Sequence, residues 1–268
     1  MSIADEIEVA VKHHAAGQLA EAEAIYRHVL ERDPAQSHAM HQLGILLHES
    51  GRTAEGTAFV ERALTVLRDP AWLANLGELL RCQGKLDRGI ACCREAIERA
   101  PRHVTAHLNL AVLLNQAGRS EEALPAARKA VELAPDNFSC LRVLSAVLTS
   151  LGQADEATAH AEAATRANPS DGDCWNQLAA AHKSAASARA STSFLSAGSR
   201  KPGLTWNIDG STRKWRSGRT RRTSPSGMAL RWTEGKSCCL PNRGWATRFI
   251  ETSLARLVAI SGQTVQTP

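Results

Sequence analysis

Four side-chain amides, Gln42, Asn75, Asn109 and Gln177, return at intervals of 33, 34 and twice 34 residues. An amide carries two N–H donors and a carbonyl acceptor, so a row of them at constant spacing can pair with the backbone of an extended peptide while reading little of its sequence. Glu8 and Val143 fall in the same register and interrupt the row. This is the chemistry of binding. For catalysis the chain offers no phosphate-cradling glycine loop, nucleophile elbow or metalloprotease helix. His38, His41 and His48 approach one helical face, at i, i+3 and i+10. With few carboxylates nearby they read as groove or surface histidines and not as metal ligands. Seven cysteines, Cys82, Cys92, Cys93, Cys140, Cys174, Cys238 and Cys239, show no paired ligand spacing and read as small packing residues. Neither cofactor nor metal is expected.

The elements that must position these side chains follow from a period. Gly17, Gly51, Gly84, Gly118 and Gly152 are 34, 33, 34 and 34 residues apart, and each opens a similar line, such as "GQLAEAEAIYRHVLERDP" and "GKLDRGIACCREAIERAP". A second series keeps step: Leu43, Leu76, Leu110, Leu144 and Leu178 are followed by Gly44, Gly77, Ala111, Ser145 and Ala179, residues small enough for two helices to approach closely. Apolar residues at helical spacing, as in Leu43, Leu46 and Leu47, predict two amphipathic helices per unit. A glycine between them can adopt a left-handed cap, and a proline after the second prevents that helix from continuing. One such pair cannot bury its own apolar face, so units must stack.

This pattern resembles the tetratricopeptide repeat family, whose 34-residue units carry W, L-G, Y, A, F and P at set places. The units are 3–36 (Ala22, Tyr26, Pro34), 37–69 (Leu43-Gly44, Ala63), 70–103 (Leu76-Gly77, Ala96, Pro101), 104–137 (Leu110, Ala123, Ala130, Pro135) and 138–171 (Leu144, Ala157, Ala164, Pro169). The second lacks the closing proline, and its one-residue deletion is expected in a loop. A sixth unit begins with Trp175, Leu178 and Ala179, giving a partial repeat over 172–183 whose Trp175 and Leu178 are expected to pack on the fifth repeat. The resemblance implies an all-α fold, an α-solenoid of about five helix-turn-helix repeats plus a sixth first helix, wound as a right-handed superhelix around a concave groove. It also implies that first helices line that groove, with Gln42, Asn75, Asn109 and Gln177 on it and His41, Glu78, Arg81, Asn115, Gln116 and Arg142 as neighbours. A similar asparagine ladder occurs in the repeat arms of O-linked N-acetylglucosamine transferases. The family's clamp for C-terminal carboxylates is not expected, because its places hold His41, Ile45, Ala74, Leu108 and Val112. The expected function is non-enzymatic binding of a peptide or protein segment. The alternative is the substrate-recruiting arm of a bacterial glycosyltransferase or sulfotransferase whose catalytic domain is lost.

Beyond Lys183 the pattern ends. Residues 1–183 hold 18 Lys and Arg against 24 Asp and Glu, a net of −6, whereas residues 184–268 hold 14 against 3, a net of +11. The tail is rich in Ser, Thr, Arg and Gly and carries four of the six tryptophans. Reading across its codon junctions can yield "GRLGEG", a line like the one that opens at Gly51. A change of reading frame near Lys183 to Ala186 therefore accounts for the break, and it predicts a largely disordered tail, weakly helical near "FIETSLARLVAI". A basic tail with interleaved Trp can also contact single-stranded nucleic acid, which stands as the third reading. Acids at the N-terminus and no long apolar run predict a cytoplasmic chain without a membrane span.

Overall fold

The computed structural model describes residues 2–198, with side chains to residue 190. Eleven helices occupy these residues, and no strand occurs among them. They run α1 (Ile3–Ala15), α2 (Leu19–Arg32), α3 (Ser37–Glu49), α4 (Thr53–Val66), α5 (Pro70–Cys82), α6 (Leu86–Arg99), α7 (Val104–Gln116), α8 (Ser120–Leu133), α9 (Phe138–Ser150), α10 (Ala154–Ala167) and α11 (Gly172–Gly198). The first ten form five pairs, each a first helix and a second helix, as the period predicts.

Local chemistry fixes the boundaries. The turn inside each pair passes through Gly17, Gly51, Gly84, Gly118 or Gly152, all at φ between +73° and +82°, the left-handed region that glycine enters without steric cost. The residue after each glycine donates back to the end of the first helix, as Arg52 N does to Leu47 O at 2.8 Å. Three first helices, α1, α5 and α9, begin on Ser, Asp or Asn caps: Ser2 and Asp5 form a capping box, Asp69 Oδ1 accepts from the backbone N–H of Ala71 and Trp72, and Asn137 Oδ1 accepts from Ser139 and Cys140. The deletion in the second unit lies in the loop that joins α4 to α5. That loop spans residues 67–69, one residue shorter than 33–36, 100–103, 134–137 and 168–171. Pro70 occupies the first turn of α5, where the missing N–H would be unpaired in any case.

The core runs along the array between helices instead of collecting at one centre. Ile7, Ala10, Tyr26, Val29, Leu43, Leu46 and Leu47 form one cluster, Val60, Leu64, Trp72, Leu73, Leu79 and Leu80 a second, and Leu110, Leu113, Leu114, Leu144, Val147 and Leu148 a third. Small residues set the distance within pairs. A Cβ added to Gly44 would lie 2.6 Å from Val60 Cγ2 and 2.7 Å from the Gly56 carbonyl oxygen, so these two helices cross backbone to backbone. Ala111 with Ala123 and Ser145 with Ala157 repeat the device, all four fully buried.

The sixth unit differs from expectation. Trp175, expected to pack on the fifth repeat, is 52% exposed and is held by its indole N–H donating to Pro169 O at 2.9 Å. Cys174 takes the inward place, beside Leu141 of α9 and Ala164 of α10. Leu178 packs on the core as expected, with Ala181 beside it. Ala179, in register with Gly44 and Gly77, is exposed. The helix itself continues past Lys183 to Gly198. Residues 184–198, expected in the low-order tail, are thus helical, while the stretch near "FIETSLARLVAI" and the rest of the tail beyond Gly198 lie outside the described residues.

Candidate functional site

All ten candidate side chains stand on first helices: His41 and Gln42 on α3, Asn75, Glu78 and Arg81 on α5, Asn109, Asn115 and Gln116 on α7, Arg142 on α9 and Gln177 on α11. The amide row corrects the simplest picture of a ladder open to a peptide. Asn75 is fully buried, and its Nδ2 donates to His41 Nε2 at 3.0 Å. Asn109 is 4% exposed and donates to the carbonyl oxygen of Ala74 at 2.9 Å. Gln177 Nε2 donates to the hydroxyls of Ser145 and Thr149 at 3.2 and 3.3 Å. In each case the amide reaches back to the preceding first helix. The 34-residue spacing that suggested a row for a ligand places each member against its neighbouring repeat, and the donors close that gap. Gln42 is buried in the same register.

His41 is the centre of a small polar and aromatic group. Its ring stacks on Trp72 with centroids 4.8 Å apart and 11° between planes, and His38 meets the same ring edge-on at 5.1 Å. Burial holds the His41 imidazole far below the usual histidine range, to about 3, with His38 acting in the same direction. The ring is therefore neutral at physiological pH, which leaves Nε2 able to accept from Asn75. Trp72 was not among the candidates, although it follows His38 by 34 residues, as Asn75 follows His41.

Water reaches the remaining candidates more readily. Glu78 and Arg81 are part-buried and form a two-pronged ion pair, with Arg81 nitrogens 2.6 and 2.7 Å from the carboxylate oxygens. His48 faces the same charges. Burial lowers its pKa first, Glu78 and Glu49 oppose that, and Arg81 reinforces it. Glu49 also bonds to buried His14 at 2.9 Å, joining α3 to α1. Asn115 Oδ1 accepts from the Ser120 hydroxyl at 2.8 Å, Gln116 is exposed, and Arg142 is part-buried. The structure thus brings together His41 with Asn75 and Glu78 with Arg81, and distributes the others along the array. Among the described residues no three His, Cys, Asp or Glu side chains converge as a metal-ligand set. No described helix is long and apolar enough to cross a membrane.

Two tetratricopeptide repeat models match the chain, one over residues 13–79 and one over residues 74–138. Residues 13–138 belong to the tetratricopeptide repeat family. Its fold is similar to that of a thermophilic repeat protein of this family from Thermus thermophilus, at 20% identity and a TM-score of 0.56, with 67% of this chain and 98% of that chain covered. A repeat protein from Parabacteroides merdae gives 17% identity and a TM-score of 0.58 over 75% of this chain and 80% of that one. YrrB, described as a repeat protein with an unusual peptide-binding site, gives 18% identity and a TM-score of 0.52 over 64% and 89%. None of the curated proteins matches. A tetratricopeptide array is a protein-interaction module, and members of the family are generally non-catalytic scaffolds.

Proposed function

We propose that the face formed by the first helices is a concave groove that binds an extended peptide or protein segment, and that the chain acts by recruitment without catalysis of its own. The observation that carries this reading is the row of amide bonds from one first helix to the next. It ties α3 to α5, α5 to α7 and α9 to α11 before any ligand arrives, so binding forfeits little conformational entropy. Over that frame, Glu78, Arg81, Asn115, Gln116 and Arg142 supply accessible polar contacts, while Gln42, Asn75, Asn109 and Gln177 with His41 form the rigid floor. A cytoplasmic location fits this role.

Photo-crosslinking tests it. A benzophenone side chain placed at Gln116 should capture partner peptides from a lysate, and one at Arg94, exposed on second helix α6, should not. Capture confined to Arg94 would sink the proposal. A second reading, that the array recruits substrate for a glycosyltransferase or sulfotransferase encoded beyond a shifted frame, is favoured by the sixth unit, where Trp175 and Ala179 lie exposed as a second helix would find them. Resequencing the coding DNA past Lys183 and translating every frame tests that reading: a frame that runs on into further repeats or a catalytic domain supports it, and its absence removes it.

A further inference from the structure

Cations on this array are nearly all matched. Arg27, Arg32, Arg52, Arg81, Arg88, Arg94, Arg99, Arg119 and Arg128 each lie within 4 Å of a carboxylate. Among the described residues, Arg62, Lys85, Arg102 and Lys183 make no ion pair, and all four are exposed, where water solvates the charge. Arg142 differs. It is part-buried, makes no ion pair or hydrogen bond with the described residues, and its Nε–H is sealed from solvent without a partner. A buried N–H left unpaired on a charged group is costly, and native structures keep such groups where something else completes them.

Its position in the repeat shows why the array does not complete it. Arg142 stands in the fifth unit where His41 stands in the second and Ala74 in the third. At those two places an amide from the next first helix closes the contact, Asn75 onto His41 and Asn109 onto the Ala74 carbonyl. The corresponding amide here, Gln177, turns instead to Ser145 and Thr149. An amide N–H could not serve a guanidinium, which has donors only. The neighbours in this register are apolar, Leu108 in the unit before and Val143 next in the chain. Asp171 and Asp173 share with Arg142 the surroundings of the Cys174 thiol, yet neither pairs with it.

From this we infer that Arg142 is a specificity-determining contact of the groove, taking a carboxylate of the bound segment on its two Nη groups, the part of the guanidinium that is not sealed. The inference rests on the peptide-binding reading above. A guanidinium matches a carboxylate with two parallel N–H···O bonds, and a partly desolvated site strengthens them. The carboxylate can come from an internal Asp or Glu of the partner or from its chain end.

The test pans random dodecamers on the full-length protein and its Arg142→Gln variant at physiological salt. One phage library joins the peptide's C-terminus to the coat protein, and the other leaves it free. Wild-type binders should carry either an acid at one fixed position in the joined library or a preference for the free end, and R142Q should lose that feature. The best synthetic peptide should bind R142Q about tenfold or more weakly. If R142Q loses helicity, R142K replaces it, keeping charge without the fork, and a weaker but aligned preference is expected. Binders with no acidic feature, or an acidic feature that persists in R142Q and so belongs to the basic tail, overturn this inference while leaving the groove reading in place. Failure of the wild-type protein to select any peptide overturns both.

Discussion

Tyr26 shows the cost of a family position filled without its partner. The side chain is fully buried in the first core cluster, and its hydroxyl has no hydrogen-bond partner. Burial, with Glu49 nearby, drives its ionisation upward and keeps it neutral. Removing an unpaired buried hydroxyl removes a desolvation cost of about 1–3 kcal/mol, so Tyr26→Phe should leave stability unchanged or raise it. Urea unfolding of the two proteins decides this, and a clear loss would reveal a hidden partner for the hydroxyl. His41 gives a pH prediction. Its folded-state pKa, about 3, lies below the ordinary 6.5, so the unfolded chain takes up the proton that the fold refuses. The stability it contributes is present above pH 6.5 and is lost as pH falls from there towards 3. His48, also lowered by burial, adds to the same slope. Carboxylates held down by arginines, such as Glu122 by Arg119, lose their part only below their ordinary 4.5. Melting temperatures at pH 7, 6 and 5 should therefore fall in the wild type and fall less in His41→Gln, which titrates nothing; parallel curves would refute the assignment.

Between elements, two kinds of contact hold the array, and each can be cut separately. Within a pair, Gly44 and Gly56 bring α3 and α4 together along the backbone. Gly56→Ala forces a methyl group against the Gly44 carbonyl, a contact no rotamer relieves, and should cost at least about 2 kcal/mol in urea unfolding. Between pairs, the amides of Asn75 and Asn109 join successive first helices. Asn75→Ala with Asn109→Ala should lower stability by about 1 kcal/mol per bond, since His41 Nε2 and the Ala74 carbonyl lose their donors. If that pair of changes leaves stability intact and abolishes peptide capture, the amides serve a ligand after all.

Across the molecule, stability in a stacked array is a sum over neighbours, so a unit with one neighbour opens before a unit with two. The central helices α5 to α8 have cover on both sides, whereas α1 and α11 each lie at one end of the described array. Hydrogen exchange followed by mass spectrometry should find the slowest amides in α5 to α8 and faster exchange in α1 and α11. Uniform protection would show that the array opens as one cooperative unit.

The repeat boundaries, the left-handed glycines, the site of the one-residue deletion and the pairing of helices could all be read along the chain, because each depends on residues within a single 34-residue period. Trp175 was misread because a repeat position predicts burial only when the unit that covers it is present. The roles of Asn75, Asn109 and Gln177 lay beyond the sequence for a related reason. A period says that these amides share a face, and whether that face meets a ligand or the adjoining helix depends on how far apart the helices sit, which small residues such as Gly44 and Gly77 and the packing around them decide in three dimensions. Arg142 is the clearest case. Its letter and its place in the unit are plain in the chain, but that it alone among the part-buried cations described finds no carboxylate emerges only when every neighbour is in place.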